Sequence, residues 1–161
     1  LGYAPIFAKT PDFEKVHDEF KRGNYNQAAT ISIQYIKSQD FLNYDERFLV
    51  IYITGEKQIN EIHWVLKKSL EKKPDRSSIF YNAVYLLLER SLVLKDINKG
   101  MYWGAIYEKE GGSSKKYEEG MYLYACILLE AGKKSQSLAI AKKYSKSQSD
   151  IPWHRILETE S

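Results

Sequence analysis

Cysteine is almost missing: Cys126 stands alone among 161 residues, so the chain can form neither an internal disulfide nor a paired-thiolate metal site. It sits inside an apolar run and reads as a core thiol. Long apolar runs are missing too. The longest, Tyr122–Leu129 and Ala83–Leu88, fall well short of the ~18 residues that span a bilayer. No sign of charge prevails: 24 Lys and Arg face 21 Asp and Glu, a formal charge of +3, too near balance to call for nucleic acid as partner. The start at Leu1 carries no basic n-region and no apolar h-region, and a first residue other than Met reads as a processed start. The expected setting is that of a soluble chain, cytoplasmic or extracytoplasmic, with the compartment left open.

Groups for catalysis are as scarce. His17, His63 and His154 are scattered, with no HExxH and no metal-ligand spacing. Gly111-Gly112-Ser113-Ser114-Lys115 has the composition of a phosphate loop but neither the GxxxxGK[ST] spacing nor a preceding strand. Glu118 and Glu119 diverge by ~100° on a helix and make no carboxylate pair. Gly100-x-x-x-Gly104 copies a membrane-dimer motif, yet Lys95, Asp96, Lys99 and Glu108 surround it. No enzyme, no cofactor and no metal are expected.

What the chain does have is aromatic side chains, 13 Tyr, 6 Phe and 3 Trp, and helical periodicity nearly throughout. Thr10-Pro11 opens a first helix with Phe13, Val16, His17 and Phe20 on one face, stopped by Gly23. Asn24 caps a second, bearing Ala28, Ala29, Ser32, Tyr35 and Ile36. Asn43-x-x-Glu46 resembles a capping box ahead of Phe48, Ile51 and Tyr52. A buried strand over Phe48–Thr54 is the alternative there, but it has no partner strand. Ile59, Ile62, Leu66 and Leu70 form a fourth stripe ending at Lys73-Pro74, and Asp75–Val93 forms a fifth helix. Asp96 caps a sixth over Ile97 to about Glu110, Ser114 caps a seventh ending at Gly132, and the eighth runs from about Lys134 to Ser147. A short helix after Ile151-Pro152 carries Trp153, Ile156 and Leu157. The fold class is all-α: an arm over 1–9, a helical region over 10–150 and a capping segment over 151–161.

Breaks that end helix pairs recur at Asp40, Pro74, Gly111 and Asp150, spaced by 34, 37 and 39 residues. Gly23-Asn24-Tyr25-Asn26-Gln27-Ala28 is echoed by Gly132-Lys133-Lys134-Ser135-Gln136-Ser137. Met121, Tyr124, Ala125, Leu128 and Leu129, followed by Gly132, Ser137, Ala141 and Tyr144, reproduce a large–small pattern across one helix pair. Ala83, Leu86 and Leu87 with Gly100, Gly104 and Tyr107 give a second good copy, and residues 10–73 hold two degenerate ones. The pattern resembles the tetratricopeptide repeat, a helix–turn–helix of 34 residues. An ordinary antiparallel bundle is the competing arrangement.

The resemblance implies a right-handed α-solenoid of about four helix pairs acting as a scaffold for another protein or peptide. In that family the first helices of successive repeats line a concave face. Carried over, the contact positions are Phe13, His17 and Phe20, then Leu49 and Tyr52, then Phe80, Val84 and Leu87, and finally Tyr122, Cys126 and Leu129. Such a groove is apolar and aromatic, and it lacks the basic clamp of members that grip acidic chaperone C-termini. The terminal segment with Trp153, Ile156 and Leu157 on one edge is expected to seal the last pair. Lys133, Lys134, Lys142, Lys143 and Lys146, with no acid among them, form a face for weak contact with anionic surfaces. An all-α accessory, superhelical domain of a larger enzyme or of an envelope assembly complex is the alternative role.

Overall fold

The structure, a computed structural model, describes residues 10–160. Among them there is no β-strand, and the segment considered as a possible strand is helical. The nine helices of the described chain are α1 (Phe13–Lys21), α2 (Tyr25–Ser38), α3 (Arg47–Gly55), α4 (Ile59–Lys72), α5 (Ser78–Leu94), α6 (Ile97–Glu110), α7 (Tyr117–Glu130), α8 (Lys134–Lys143) and α9 (His154–Leu157). The arm expected over 1–9 lies outside the described residues. The chain divides into two compact units, one up to Leu86 and one from Leu87, with the division inside α5.

In the first unit α2 packs against both α1 and α3. Ala28, Ala29 and Ser32 make a buried stripe of small side chains on α2, which lets a neighbouring helix approach closely. The Ser32 hydroxyl avoids an unmet buried donor by donating to the Ala28 carbonyl at 2.8 Å. α3 brings Phe48, Leu49, Ile51, Tyr52 and Ile53 into the core, and α4 adds Ile62, Val65 and Leu66. The Tyr44 hydroxyl donates to Ser69 Oγ on α4 at 2.7 Å.

In the second unit α7 packs on α6 and α8, and α9 packs on α8. Ser137 of α8 donates to the Ala125 carbonyl of α7 at 2.7 Å, both residues being buried. Gly23 and Gly132 close α1 and α7 with φ of +91° and +76°, a region that strains any residue with a Cβ.

Local starts differ from the sequence reading at four helices, and at α2 Asn24 stands at the N-cap position but its side chain makes no cap bond, donating to Glu19 Oε2 at 2.6 Å instead. Asp12, not Thr10, caps α1: its Oδ1 accepts from the Glu14 and Lys15 N–H groups at 3.0 and 3.4 Å. The Asn43–Glu46 capping box does not form. Glu46 instead accepts from the Ser77 N–H at 3.1 Å, and Asp45 Oδ1 accepts from the Arg47 N–H at 3.0 Å. Ser114 lies ahead of α7, which begins at Tyr117, and accepts from the Lys116 N–H at 3.1 Å. At α1 and α3 a carboxylate close in sequence, Asp12 or Asp45, takes backbone donors that spacing alone assigns to another residue.

Candidate functional site

A cavity of about 240 Å³ opens in the first unit along α1 and α3. Phe13, His17 and Phe20 supply one wall, spaced i, i+4, i+7 on α1. Arg47, Val50, Ile51 and Thr54, spaced i, i+3, i+4, i+7 on α3, supply the other, with Ile79 of α5 beside them. Both stripes follow from the 3.6-residue period, and each extends for about 10 Å along its helix.

Phe13 organises one end. Its ring stacks on the His17 imidazole (centroids 5.3 Å apart, planes at 28°) and meets the edge of buried Phe48 at 5.4 Å. The Arg47 guanidinium carbon lies 4.0 Å from the centre of the same ring, a cation–π contact. Asp45 fixes that guanidinium, accepting from Nε at 3.1 and 3.0 Å and from Nη2 at 2.7 Å. The Arg47 hydrogen bond holds the Asp45 carboxyl below its ordinary pKa, against the smaller opposing effect of burial. At the other end Phe20 meets Tyr25 edge-on at 4.9 Å. The surface is mostly apolar, rimmed by one oriented cation, and suited to holding apolar side chains.

The structure brings Phe13, His17 and Phe20 together but not the remaining groove residues. Leu49, Phe80 and Val84 are fully buried and Tyr52 is 2% exposed, and none of the four lines this groove, a correction to the concave-face assignment. Leu49 and Tyr52 stand next to Val50 and Ile51 on α3, and Phe80 next to Ile79 on α5, turned about the helix axis away from the groove. Leu87 is likewise buried, whereas Tyr122, Cys126 and Leu129 are half-buried. Tyr122 meets the edge of the Trp153 ring at 5.2 Å. Burial raises the Cys126 thiol pKa, opposed by a hydrogen bond with Tyr122, so the cysteine is not an activated nucleophile. The groove residues missed by sequence reasoning, Arg47, Val50, Thr54 and Ile79, had a usable signal in the helical spacing of the first three.

Trp153 and Ile156 are buried at 4% and 2% exposure. Trp153 stacks on Tyr144 (4.8 Å, 8°), and its Nε1–H donates to Glu118 at 2.9 Å. The five lysines expected to form a basic face are all exposed. Lys142 pairs with Glu160 at 2.8 Å, so the terminal segment offsets part of that charge.

Among the described residues no group of three His, Cys, Asp or Glu side chains is placed to hold a metal ion. No helix among them is long and apolar enough to cross a membrane. Comparisons with family models, curated proteins and solved structures find no match to this chain.

Proposed function

We propose that this chain is a non-catalytic interaction module that holds an apolar segment of another protein or peptide in the groove between α1 and α3. The carrying observation is the juxtaposition of Phe13, His17 and Phe20 with Val50, Ile51 and Thr54 around one open, mainly apolar cavity. Apolar surface of this kind gains free energy when a partner covers it, and aromatic walls give large rigid contacts at low entropic cost. The tetratricopeptide-like reading belongs to the same proposal. α1 and α3 are the first helices of consecutive pairs, the elements that line the ligand face in that family, and a solenoid of such pairs is the arrangement we infer from the sequence period.

Phage-displayed peptides selected on the intact chain test this. Selected peptides should carry aromatic or branched apolar residues and should bind a Val50→Lys variant at least ~10-fold more weakly, with the melting temperature preserved. Equal binding to the variant, or no selected peptide, overturns the reading.

A further inference from the structure

A second cavity of the first unit, about 330 Å³, lies between α2 and the turn joining α3 to α4. Tyr52 lines it while being 2% exposed, and its hydroxyl makes no hydrogen bond with the described residues. The small exposed part of Tyr52 leaves its hydroxyl reachable from the cavity, where the O–H can donate to a ligand. The α3 end of the cavity is rigid. A Cβ on Gly55 would stand 2.7 Å from the Tyr25 carbonyl oxygen and 2.8 Å from Ala29 Cβ, so the two backbones touch there. Glu56 Oε1 accepts from the Lys57 and Gln58 N–H groups, both at 2.9 Å, which fixes the turn.

The polar groups select the chemistry of the ligand. Burial first, then the Glu56 and Glu61 carboxylates, push the Tyr52 pKa up, which keeps the hydroxyl neutral and donating. Those carboxylates repel an anion at the same place, whereas a neutral acceptor meets no such repulsion. Asn26 and Gln58 line the cavity with side-chain amides, each offering a donor and an acceptor.

We propose that this cavity binds a neutral amide group, its carbonyl accepting from the Tyr52 hydroxyl and its N–H groups donating to the Asn26 and Gln58 side chains. The site is separate from the apolar groove and does not depend on it. The amide has two possible sources, a free small amide or an Asn or Gln side chain presented by a peptide.

Two-dimensional amide NMR on the full chain tests this, with propionamide, propionate and N-acetylglutamine amide as probes. Propionamide should move the Gly55, Glu56, Lys57 and Gln58 signals, with propionate weaker. Binding of N-acetylglutamine amide at least ~10-fold tighter than propionamide assigns the site to a peptide side chain, and comparable binding assigns it to a free amide. Tyr52→Phe should weaken propionamide ~10-fold, the effect of one hydrogen bond, and leave the melting temperature unchanged because the hydroxyl bonds no other described residue. No response to propionamide, stronger binding of propionate, which Lys57 would favour, or unchanged binding in Tyr52→Phe overturns the proposal. Should Tyr52→Phe fail to fold, Asn26→Ala at an exposed position carries the test, and unchanged propionamide binding there overturns it equally.

Discussion

The two units bring their helices together in different ways. In the second unit, glycine lets rings and branched chains press onto backbone. A Cβ at Gly104 would stand 2.1 Å from Tyr124 Cδ1, one at Gly120 2.3 Å from Tyr107 Cε1, and one at Gly100 2.9 Å from Ile127 Cδ1. Trp153 then covers the end of α7 and α8, stacked on Tyr144. In the first unit Gly55 permits one such approach, but much of the packing is ring against ring, as with Phe13, Tyr35 and Phe48. The groove along α1 and the cavity at Tyr52 are both in that first unit. The proposed binding sites are those two concavities of the first unit.

The largest effect expected from this contrast comes from one substitution made in each unit. Trp153→Ala should destabilise the second unit by about 3–4 kcal/mol, since the ring is 4% exposed and removing it leaves a cavity. Trp64→Ala in the first unit should cost about 1 kcal/mol or less. Its ring is 41% exposed and has the edge contact with Phe41 and the Lys37 ammonium 5.6 Å away to lose. Hydrogen exchange resolved by segment reads each unit by itself. Equal losses of protection would mean that the terminal segment is not the seal described.

A smaller effect compares glycines. Gly104→Ala should cost ~2 kcal/mol because the Tyr124 ring, not a flexible chain end, must move. Gly112→Ala meets no atom within 4 Å and should be neutral within ~0.5 kcal/mol. Urea denaturation of both variants checks the difference. A harmless alanine at 104 would show that close helix approach is not what closes the second unit.

Much of the architecture was legible because helix period and helix breakers are local signals. The stripes Phe13–Phe20 and Ile62–Leu66, the stops at Gly23 and Gly132, and the cap at Asp96, whose Oδ1 accepts from the Lys99 N–H at 3.3 Å, all act within a few residues. Asp45 shows where legibility ends. Its N–H donates to the Tyr35 hydroxyl at 3.0 Å while its carboxylate holds Arg47, a long-range choice that displaced the capping box. The candidate site was legible on α1 and misplaced on α3 and α5. Spacing tells which residues share a face, but which face stays open depends on what packs opposite. That is why Leu49 and Tyr52 turned inward while Val50 and Thr54 line the groove.

The smallest expected effect concerns acid and the seal on the second unit. The Glu118 carboxylate accepts from Ser147 Oγ at 2.9 Å, from Trp153 Nε1 at 2.9 Å and from Ser149 Oγ. Burial raises its pKa, but the bonds from Ser149, Trp153 and Ser147 outweigh burial and hold it below the ordinary 4.5. A carboxyl depressed in the folded state stabilises the fold above its unfolded pKa, and that contribution is lost as pH falls through the folded value. Wild type should therefore exceed Glu118→Gln by on the order of 1 kcal/mol at neutral pH, the scale of a charge-assisted hydrogen-bond set on a partly exposed group. The difference should shrink once pH drops below 4.5 and vanish further down. Asp45, depressed by Arg47, and Glu160, depressed by Lys142, titrate in both proteins, so they cancel when the two denaturation curves are subtracted at each pH. Exchange protection should fall mainly in residues 147–160 and leave α1–α3 unchanged. A stability difference that stays flat or widens in acid would sever Glu118 from the seal, leaving the Trp153–Tyr144 stack and Ile156 to hold the segment alone.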